Sequence, residues 1–152
     1  MGSEPGADVR WMTAAIAEAM RAEVAGEVPV GAVVVREGRV IAAAGNAPIT
    51  RCDPTAHAEI LALRDAGRAL GNYRLAGADL YVTVEPCPMC VGAALHARIR
   101  TLVFGCADPK AGAAGSRYAL ATDGWNHRLE VRGGVLVEEC ARVLQAFFAR
   151  RR

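Results

Sequence analysis

The sequence predicts an α/β domain in which helices cover a mixed, five-stranded β-sheet. Segments whose apolar residues recur at helical spacing alternate with short β-rich runs, which is typical of such a sheet. Residues 30–36 and 39–45 form two of these runs, and Glu37-Gly38 between them is compatible with the turn of a hairpin. The 152 residues suit one domain, so we expect residues 1–152 to form a single unit.

The first half of the chain supplies two helices around this hairpin. Apolar residues at helical spacing predict a first helix over residues 8–25. A polar loop at 46–54 follows the hairpin, and a segment rich in Ala, Leu and Glu then predicts a helix over 55–70. Gly71 is expected to end this helix.

The second half continues the alternation of strands and helices. A final helix is predicted over residues 135–149, because Cys140, Leu144 and Phe147 then lie on one face. The elements expected before it are a strand at 79–84, a short helix at 88–97, a strand at 101–105, a loop at 112–124 that could hold a short helix, and a strand at 129–132.

The composition excludes several classes of protein. With 53% hydrophobic residues and a formal net charge of +2, the chain has too much apolar surface and too little charge to be mainly disordered. Its longest apolar runs, 30–35 and 40–45, are far shorter than the roughly 20 residues that cross a bilayer. Residues 1–8 lack the basic start and apolar core of a signal peptide. We therefore expect a cytoplasmic protein with no membrane partner.

The cysteines indicate a metal site or a redox pair rather than a disulfide framework. The chain has five cysteines, an odd number, and we expect a reducing compartment. Cys87 and Cys90 form a Cys-x-x-Cys motif, whereas Cys52, Cys106 and Cys140 are isolated. We interpret these three as core or loop thiols.

Two short segments carry the residue types of a catalytic zinc site. Residues 55–59 and 85–90 each lie at a predicted helix start, where free N–H groups stabilise thiolates. Cys87 and Cys90 are three residues apart, so both sulfurs can reach one point in a first helical turn. With the imidazole of His57, they would provide three protein ligands and leave a fourth position open for water, as in catalytic zinc sites.

Glu59 is the candidate proton carrier of this site. In a regular helix it would point about 200° away from His57, two residues earlier. Both side chains can serve one site only if that site lies over the helix end, with His57 in or before the first turn. That geometry is compatible with Thr55 or its neighbour as the N-cap. There Glu59 would take a proton from a zinc-activated water and return it to a leaving group.

Each of these features also has an ordinary structural interpretation. A lone histidine is usually a hydrogen-bonded core or surface residue, and a lone Cys-x-x-Cys can be a redox pair or a coincidence. A glutamate in a first helical turn often only complements the helix dipole. Their joint occurrence, each at a predicted helix start, favours the zinc site.

His57-Ala-Glu59 followed by Pro86-Cys87-x-x-Cys90 resembles the signature of the zinc-dependent cytidine-deaminase-like superfamily. Within it, the chain is similar to the bacterial tRNA-specific adenosine deaminases from about residue 14 to its C-terminus. The segments that carry this resemblance beyond the zinc motif are 29–33, 53–59, 72–75, 80–87, 103–105, 108–110, 112–116, 126–128 and 147–148. The resemblance implies a three-layer α/β/α fold around the five-stranded sheet.

The resemblance also implies a hydrolase with one Zn²⁺ per subunit. The reaction would convert adenosine to inosine at the wobble position of a tRNA anticodon, through attack of a zinc-activated water on C6 of adenine. Glu59 would pass a proton toward N1 and then toward the departing ammonia. His57, Cys87 and Cys90 would be the zinc ligands.

The implied RNA-binding residues lie outside the zinc motif. Asn46 would bind the flipped nucleoside, the partner would be a tRNA anticodon stem-loop, and the enzyme would be a homodimer. The residues implied to hold the anticodon loop are Asp108, Lys110, Asn126, Phe148 and Arg152.

Ordinary alternatives to these RNA-binding roles remain open. Residues 108–109 and 112–115 could be turn chemistry, Lys110 a solvated charge, Phe148 a core residue beside Phe147, and Arg150–Arg152 a solvated helix end.

Two other functions also fit parts of the pattern. A small-molecule deaminase acting on guanine, cytosine, cytidine or another free nucleoside would share the zinc and Glu59. A zinc-stabilised binding module without catalysis would need no spare carboxylate, so Glu59 speaks against it.

Overall fold

The alternation of apolar and polar segments folds into a five-stranded mixed sheet, as predicted. The computed structural model describes residues 5–122 and 125–151. Within these ranges the strands are β1 (Gly31–Arg36), β2 (Arg39–Gly45), β3 (Asp79–Val84), β4 (Thr101–Cys106) and β5 (Glu130–Arg132).

The sheet combines antiparallel and parallel pairing in the order β2-β1-β3-β4-β5. β1 runs antiparallel to both of its neighbours, β2 and β3. β3, β4 and β5 run parallel to one another. Because β1 runs opposite to β2 and β3, one edge of the sheet holds the start of β1 together with the ends of β2, β3 and β4.

Helices cover both faces of this sheet, which gives the three layers implied by the resemblance. They are α1 (Pro5–Val24), α2 (Pro48–Arg51), α3 (Ala58–Leu70), α4 (Pro88–His96) and α5 (Val137–Arg150). α1 and α5 contribute to one core cluster, and α3 and α4 contribute to the other.

Successive side chains along a strand point to opposite faces of the sheet, so each strand contributes to both core clusters. Leu80 and Val82 of β3 pack toward α3 and α4, whereas Tyr81 between them packs toward α1 and α5. All three are fully buried. Strands covered on both faces are expected to be continuously hydrophobic, and each such side chain contributes roughly 1.5–3 kcal/mol on burial.

The predicted start of the second helix was wrong by three residues. α3 begins at Ala58, not at residue 55. The carboxylate of Asp53 accepts hydrogen bonds from the Thr55 amide at 2.8 Å and from the Thr55 hydroxyl at 2.7 Å. This local turn competes with the helix for the same backbone groups, so helical geometry starts only after His57.

One loop prediction differs from the structure, and a second is confirmed for the residues that the structure describes. The segment at 46–54 contains the short helix α2. Pro48 lies in its first turn, where proline is favoured. The buried carboxylate of Glu27 accepts hydrogen bonds from the amides of Ile49 and Thr50, which have no partner within the helix. In the described part of 112–124, residues 112–122, the chain forms turns without a helix. The other helix and strand ends differ from the predicted ones by at most three residues.

Among the described residues, no helix combines the length and the apolar character that crossing a membrane requires.

Close packing of α1 on β1 leads to a stability prediction. A Cβ at Gly31 would lie 2.0 Å from the carbonyl oxygen of Ala15 and 2.5 Å from the amide nitrogen of Ala19. Because both atoms belong to the backbone of α1, Gly31→Ala should destabilise the protein by about 2–3 kcal/mol. Thermal unfolding followed by circular dichroism should show Tm lower by about 5–10 °C.

Gly92→Ala is the matched control, because a Cβ at Gly92 in α4 would meet no atom within 4 Å. Alanine has the higher helix propensity, so this variant should keep or raise Tm. An unchanged Tm in Gly31→Ala would contradict the close packing.

Candidate active site

The three sequence-predicted metal ligands converge where two helices begin. His57 is the N-cap residue of α3, and Cys87 is the N-cap residue of α4. The Nδ1 atom of His57 lies 3.6 Å from the Sγ atom of Cys87 and 3.6 Å from that of Cys90, and the two sulfurs are 3.8 Å apart. These atoms form a cluster that could hold a metal ion.

The triangle has the dimensions of a zinc site. Tetrahedral zinc, with Zn–S of about 2.3 Å and Zn–N of about 2.0–2.1 Å, places its ligand sulfurs about 3.8 Å apart and each sulfur about 3.6 Å from the nitrogen. Two thiols and one imidazole are ligand types that zinc favours. These residues therefore fit zinc with a fourth position left for another ligand.

The electrostatics of the cluster favour a thiolate at Cys87. Its hydrogen bond with Cys90, followed by contact with His57, lowers the pKa of Cys87 to about 4 although burial opposes this. The pKa of Cys90 is raised, first by the same interaction with Cys87 and then by burial. The hydrogen bond with Cys87 also raises the pKa of His57. Cys87 is therefore already in the thiolate form in which cysteine binds a metal.

Glu59 lies beside these ligands in the first turn of α3 and is only 4% exposed. His57 precedes the helix with extended backbone, at φ −71° and ψ 151°, so the two side chains serve one site over the helix end. The cap expected at Thr55 or its neighbour was wrong: it is His57 itself, since the Thr55 hydroxyl is used by Asp53. Burial raises the pKa of Glu59 to about 6, which suits a group that transfers protons near neutral pH.

The cluster opens into a cleft of about 190 Å³ at the sheet edge where β2, β3 and β4 end. Its walls combine two of the predicted metal ligands with predicted substrate residues. The lining residues are Val30, Asn46, His57, Glu59, Val84, Glu85, Cys87, Asp108 and Ala111. Asn46 and Asp108 thus lie in the same cleft as the cluster.

The remaining predicted RNA-binding residues do not line this cleft. Lys110 is exposed on the loop that follows β4, and Asn126 is exposed before β5. Phe148 of α5 is 48% exposed, whereas its neighbour Phe147 takes the core position at 5%. Arg152 lies outside the described residues.

The isolated cysteines are separate from the cluster, as interpreted from the sequence. Cys106 and Cys140 are buried. Cys52 is exposed at the end of α2, where its backbone is left-handed with φ 49°.

Sequence reasoning missed two buried carboxylates that hold the loops around the cleft. Glu27 is 1% exposed, and it accepts hydrogen bonds from the amides of Ile49 and Thr50 and from the Thr50 hydroxyl. Glu85 is 3% exposed, and its bonds come from the loop that follows β4. Burial alone would raise both pKa values, but these hydrogen bonds outweigh it and leave both below the ordinary range. A charged residue next to an apolar strand segment was the available signal.

The comparisons with known proteins agree with this architecture. A family model described as MafB19-like deaminase matches residues 7–152. The chain is 52% identical to the tRNA-specific adenosine deaminase of Haemophilus influenzae, over 95% of this chain and 85% of that protein. It is 50% identical to the enzyme of the same name from Bacillus subtilis, over 93% of this chain and 88% of that protein.

A solved structure shows the same likeness in three dimensions. It comes from work on A-to-I editing by tRNA:A34 deaminases at the wobble position of transfer RNA. It superposes with a TM-score of 0.85 at 47% identity and covers 89% of this chain and 99% of that chain. The protein therefore belongs to the MafB19-like deaminase family and, within it, to the tRNA-specific adenosine deaminases.

Proposed function

We propose that this protein hydrolyses adenosine to inosine at the wobble position of a tRNA anticodon and releases ammonia. The observation that carries this proposal is the cluster of His57, Cys87 and Cys90 with Glu59 beside it. It lies in a chain whose relatives at 50% and 52% identity are named tRNA-specific adenosine deaminases.

The proposed cofactor is one Zn²⁺ per subunit, held by His57, Cys87 and Cys90. Zinc supplies a Lewis acid that lowers the pKa of water, which makes a nucleophile available near neutral pH. The dimensions and chemistry of the three ligand atoms support this assignment over harder cations such as Mg²⁺, which prefer oxygen.

Glu59 carries the proton in the proposed mechanism. Its carboxylate accepts a proton from the attacking water and delivers it to N1 of adenine as C6 is attacked. Glu59 then accepts the remaining proton of the oxygen added at C6 and delivers it to the amino group, so the C6–N bond breaks and ammonia leaves. Glu59 is suited to this role because it is buried in the cleft wall and holds its proton away from bulk water.

The cleft has room for one base, so the wobble nucleoside must be turned out of the anticodon loop to react. Asn46 in the cleft wall would hold that nucleoside, and Asp108, which lines the same cleft, would help to hold the anticodon loop. Lys110, Asn126 and Phe148 are exposed and could meet the splayed loop outside the cleft. The role of Arg152 rests on the family resemblance.

The assembly and compartment follow from the same assignment. We propose one deaminase domain over residues 1–152, because both core clusters share one sheet. The family resemblance supports a cytoplasmic homodimer whose second subunit completes the RNA site. A surface groove of about 750 Å³ beside α3 and α4, which includes Leu63, Tyr73 and Ala93 in its walls, is compatible with such an interface.

The substrate class can be decided with a synthetic anticodon stem-loop that carries adenosine at the wobble position. Inosine should form in this RNA, and free adenosine, cytidine and guanine should react far more slowly, because the loop supplies binding energy that a free base lacks. A stem-loop with guanosine at the wobble position is the matched control. Activity on a free base or nucleoside alone would indicate a small-molecule deaminase instead.

The role of Glu59 can be tested with Glu59→Gln. The amide keeps the size of the side chain but cannot accept the proton, so turnover should fall by about 10²–10⁴-fold while zinc is retained. Glu37→Gln should keep wild-type turnover, because Glu37 lies between β1 and β2 at the end of the sheet away from the cleft. Atomic emission would measure the zinc content, and single-turnover rates would measure the chemical step, so loss of zinc can be distinguished from loss of proton transfer. Wild-type turnover in Glu59→Gln would exclude the mechanism.

The ligand assignment can be tested with Cys87→Ala. Zinc should fall from about one per chain to near zero, and the protein should lose the stabilisation that bound metal provides. This is about 4 kcal/mol when free zinc is a thousand times its Kd. Cys140→Ala removes a buried thiol remote from the cluster, so it should lower Tm without loss of zinc. Unchanged zinc and Tm in Cys87→Ala would refute the assignment.

A further inference from the structure

One wall of the cleft is a segment with no helix or strand of its own. Residues 108–116 follow β4, and Asp108 and Ala111 of this segment line the cleft. Inside the segment, the amides of Lys110 and Ala111 donate to the carboxylate of Asp108. The two ends of the segment are held in place by contacts with the rest of the protein.

The carboxylate of Glu85 supplies these contacts. Its Oε1 atom accepts a hydrogen bond from the amide of Asp108 at 3.1 Å and another from the hydroxyl of Ser116. Its Oε2 atom accepts hydrogen bonds from the amides of Ala114 and Ser116, each at 3.0 Å. One buried side chain therefore binds both ends of the 108–116 segment.

The segment is also closed over this carboxylate by steric fit. A Cβ at Gly112 would lie 2.4 Å from the carboxyl carbon of Glu85 and 2.5 Å from the carbonyl oxygen of Asp108. The amide of the next residue, Ala113, donates to the carbonyl of Pro86 at 2.8 Å. Backbone and side chain of the segment that carries Cys87 thus both hold the wall.

A carboxylate is an unusual choice for simple packing at this position. Burying it forfeits hydration, and the hydrogen bonds from the segment largely offset this loss instead of adding much net stability. The arrangement instead fixes the position of the segment, because charge-assisted hydrogen bonds have strict geometry.

We infer that Glu85 is a positioning residue for the RNA substrate. It holds the 108–116 segment in place as a wall of the cleft that Asn46 also lines, so that Asp108 and Lys110 are placed to receive the anticodon loop. The inference rests on the proposed function, because it assigns the wall to that substrate. Glu85 lines the cleft, but both of its carboxylate oxygens accept hydrogen bonds from the segment, so it acts through the segment.

The test uses Glu85→Gln in the full-length, zinc-loaded protein. Each carboxylate oxygen accepts two donors, so an amide nitrogen in place of one oxygen leaves at least one backbone amide without a partner. KM for the wobble-adenosine stem-loop should rise about tenfold. Zinc content should stay unchanged and kcat should stay within about twofold of wild type.

Two further variants separate positioning from general destabilisation. Asp79→Asn is the matched control, because Asp79 is a buried carboxylate at the other end of β3, paired with Arg100 at 2.8 Å. It should lower Tm without raising KM. Ser116→Ala removes one donor from the segment itself and should raise KM about threefold. Combined with Glu85→Gln it should add little, because both changes remove the same contact.

Amide hydrogen exchange provides a readout that is independent of activity. The amides of Asp108, Ala114 and Ser116 should exchange at least tenfold faster in Glu85→Gln and at the wild-type rate in Asp79→Asn. If the wild-type enzyme does not deaminate the stem-loop, the proposed function is wrong, and so is the role of Glu85 in positioning RNA. The exchange rates then still decide whether Glu85 orders the segment.

Several results would overturn the inference. They are an unchanged KM in Glu85→Gln, loss of zinc in that variant, an equal rise of KM in Asp79→Asn, or unchanged amide exchange. If Glu85→Gln does not fold, Ser116→Ala decides instead, and an unchanged KM there would refute the positioning role.

Discussion

The direction of the strands is the constraint on which this site depends. Since β1 runs antiparallel to β2 and β3, the end of β2 comes to the same edge as the ends of β3 and β4. Asn46, Glu85 and Asp108 follow these three strand ends. Both α3 and α4 begin at this edge, so the ligands at their N-termini meet there. If one strand were reversed, these groups would lie at opposite ends of the sheet.

Three buried glutamates around the cleft show how hydrogen-bond donors decide the behaviour of a carboxyl group. Glu27, Glu59 and Glu85 are all at most 4% exposed. The pKa values of Glu27 and Glu85 are lowered because loop amides and hydroxyls donate to them. The pKa of Glu59 rises to about 6 because burial dominates there. Two carboxylates thus stay charged and hold loops, and the third remains free to exchange a proton.

The cluster of His57, Cys87 and Cys90 and the walls of the cleft are held in place in different ways. The ligands are set by two helix starts, each packed on the sheet, and such elements are rigid. The walls come from loops, and each loop is tied to the framework by a buried carboxylate. Loop walls allow the same metal chemistry to serve different substrates, because their residues can change without disturbing the helices.

Most of the architecture and the meeting of the three side chains of the cluster could be predicted from the sequence. Period and composition are local properties, so they predicted the sheet, the helices and the helix starts that carry His57, Cys87 and Cys90. The zinc spacing is likewise local, because Cys87 and Cys90 share one helical turn. Local competition already limited this success: the hydrogen bonds between Asp53 and Thr55 delayed α3 to Ala58, and the buried Glu27 stabilised a helix in a segment expected to be a loop.

The roles of Glu27 and Glu85 required the folded chain, because their partners are distant in sequence. Glu85 receives hydrogen bonds from residues 23 to 31 positions away, and no pattern around it encodes those donors. The surface position of Phe148 and the core position of Phe147 were also open until the packing of α5 was known. Spacing along the chain decides which groups are present and near one another locally. Burial and long-range hydrogen bonds, which exist only after folding, decide which carboxylates hold a loop and which one has a raised pKa.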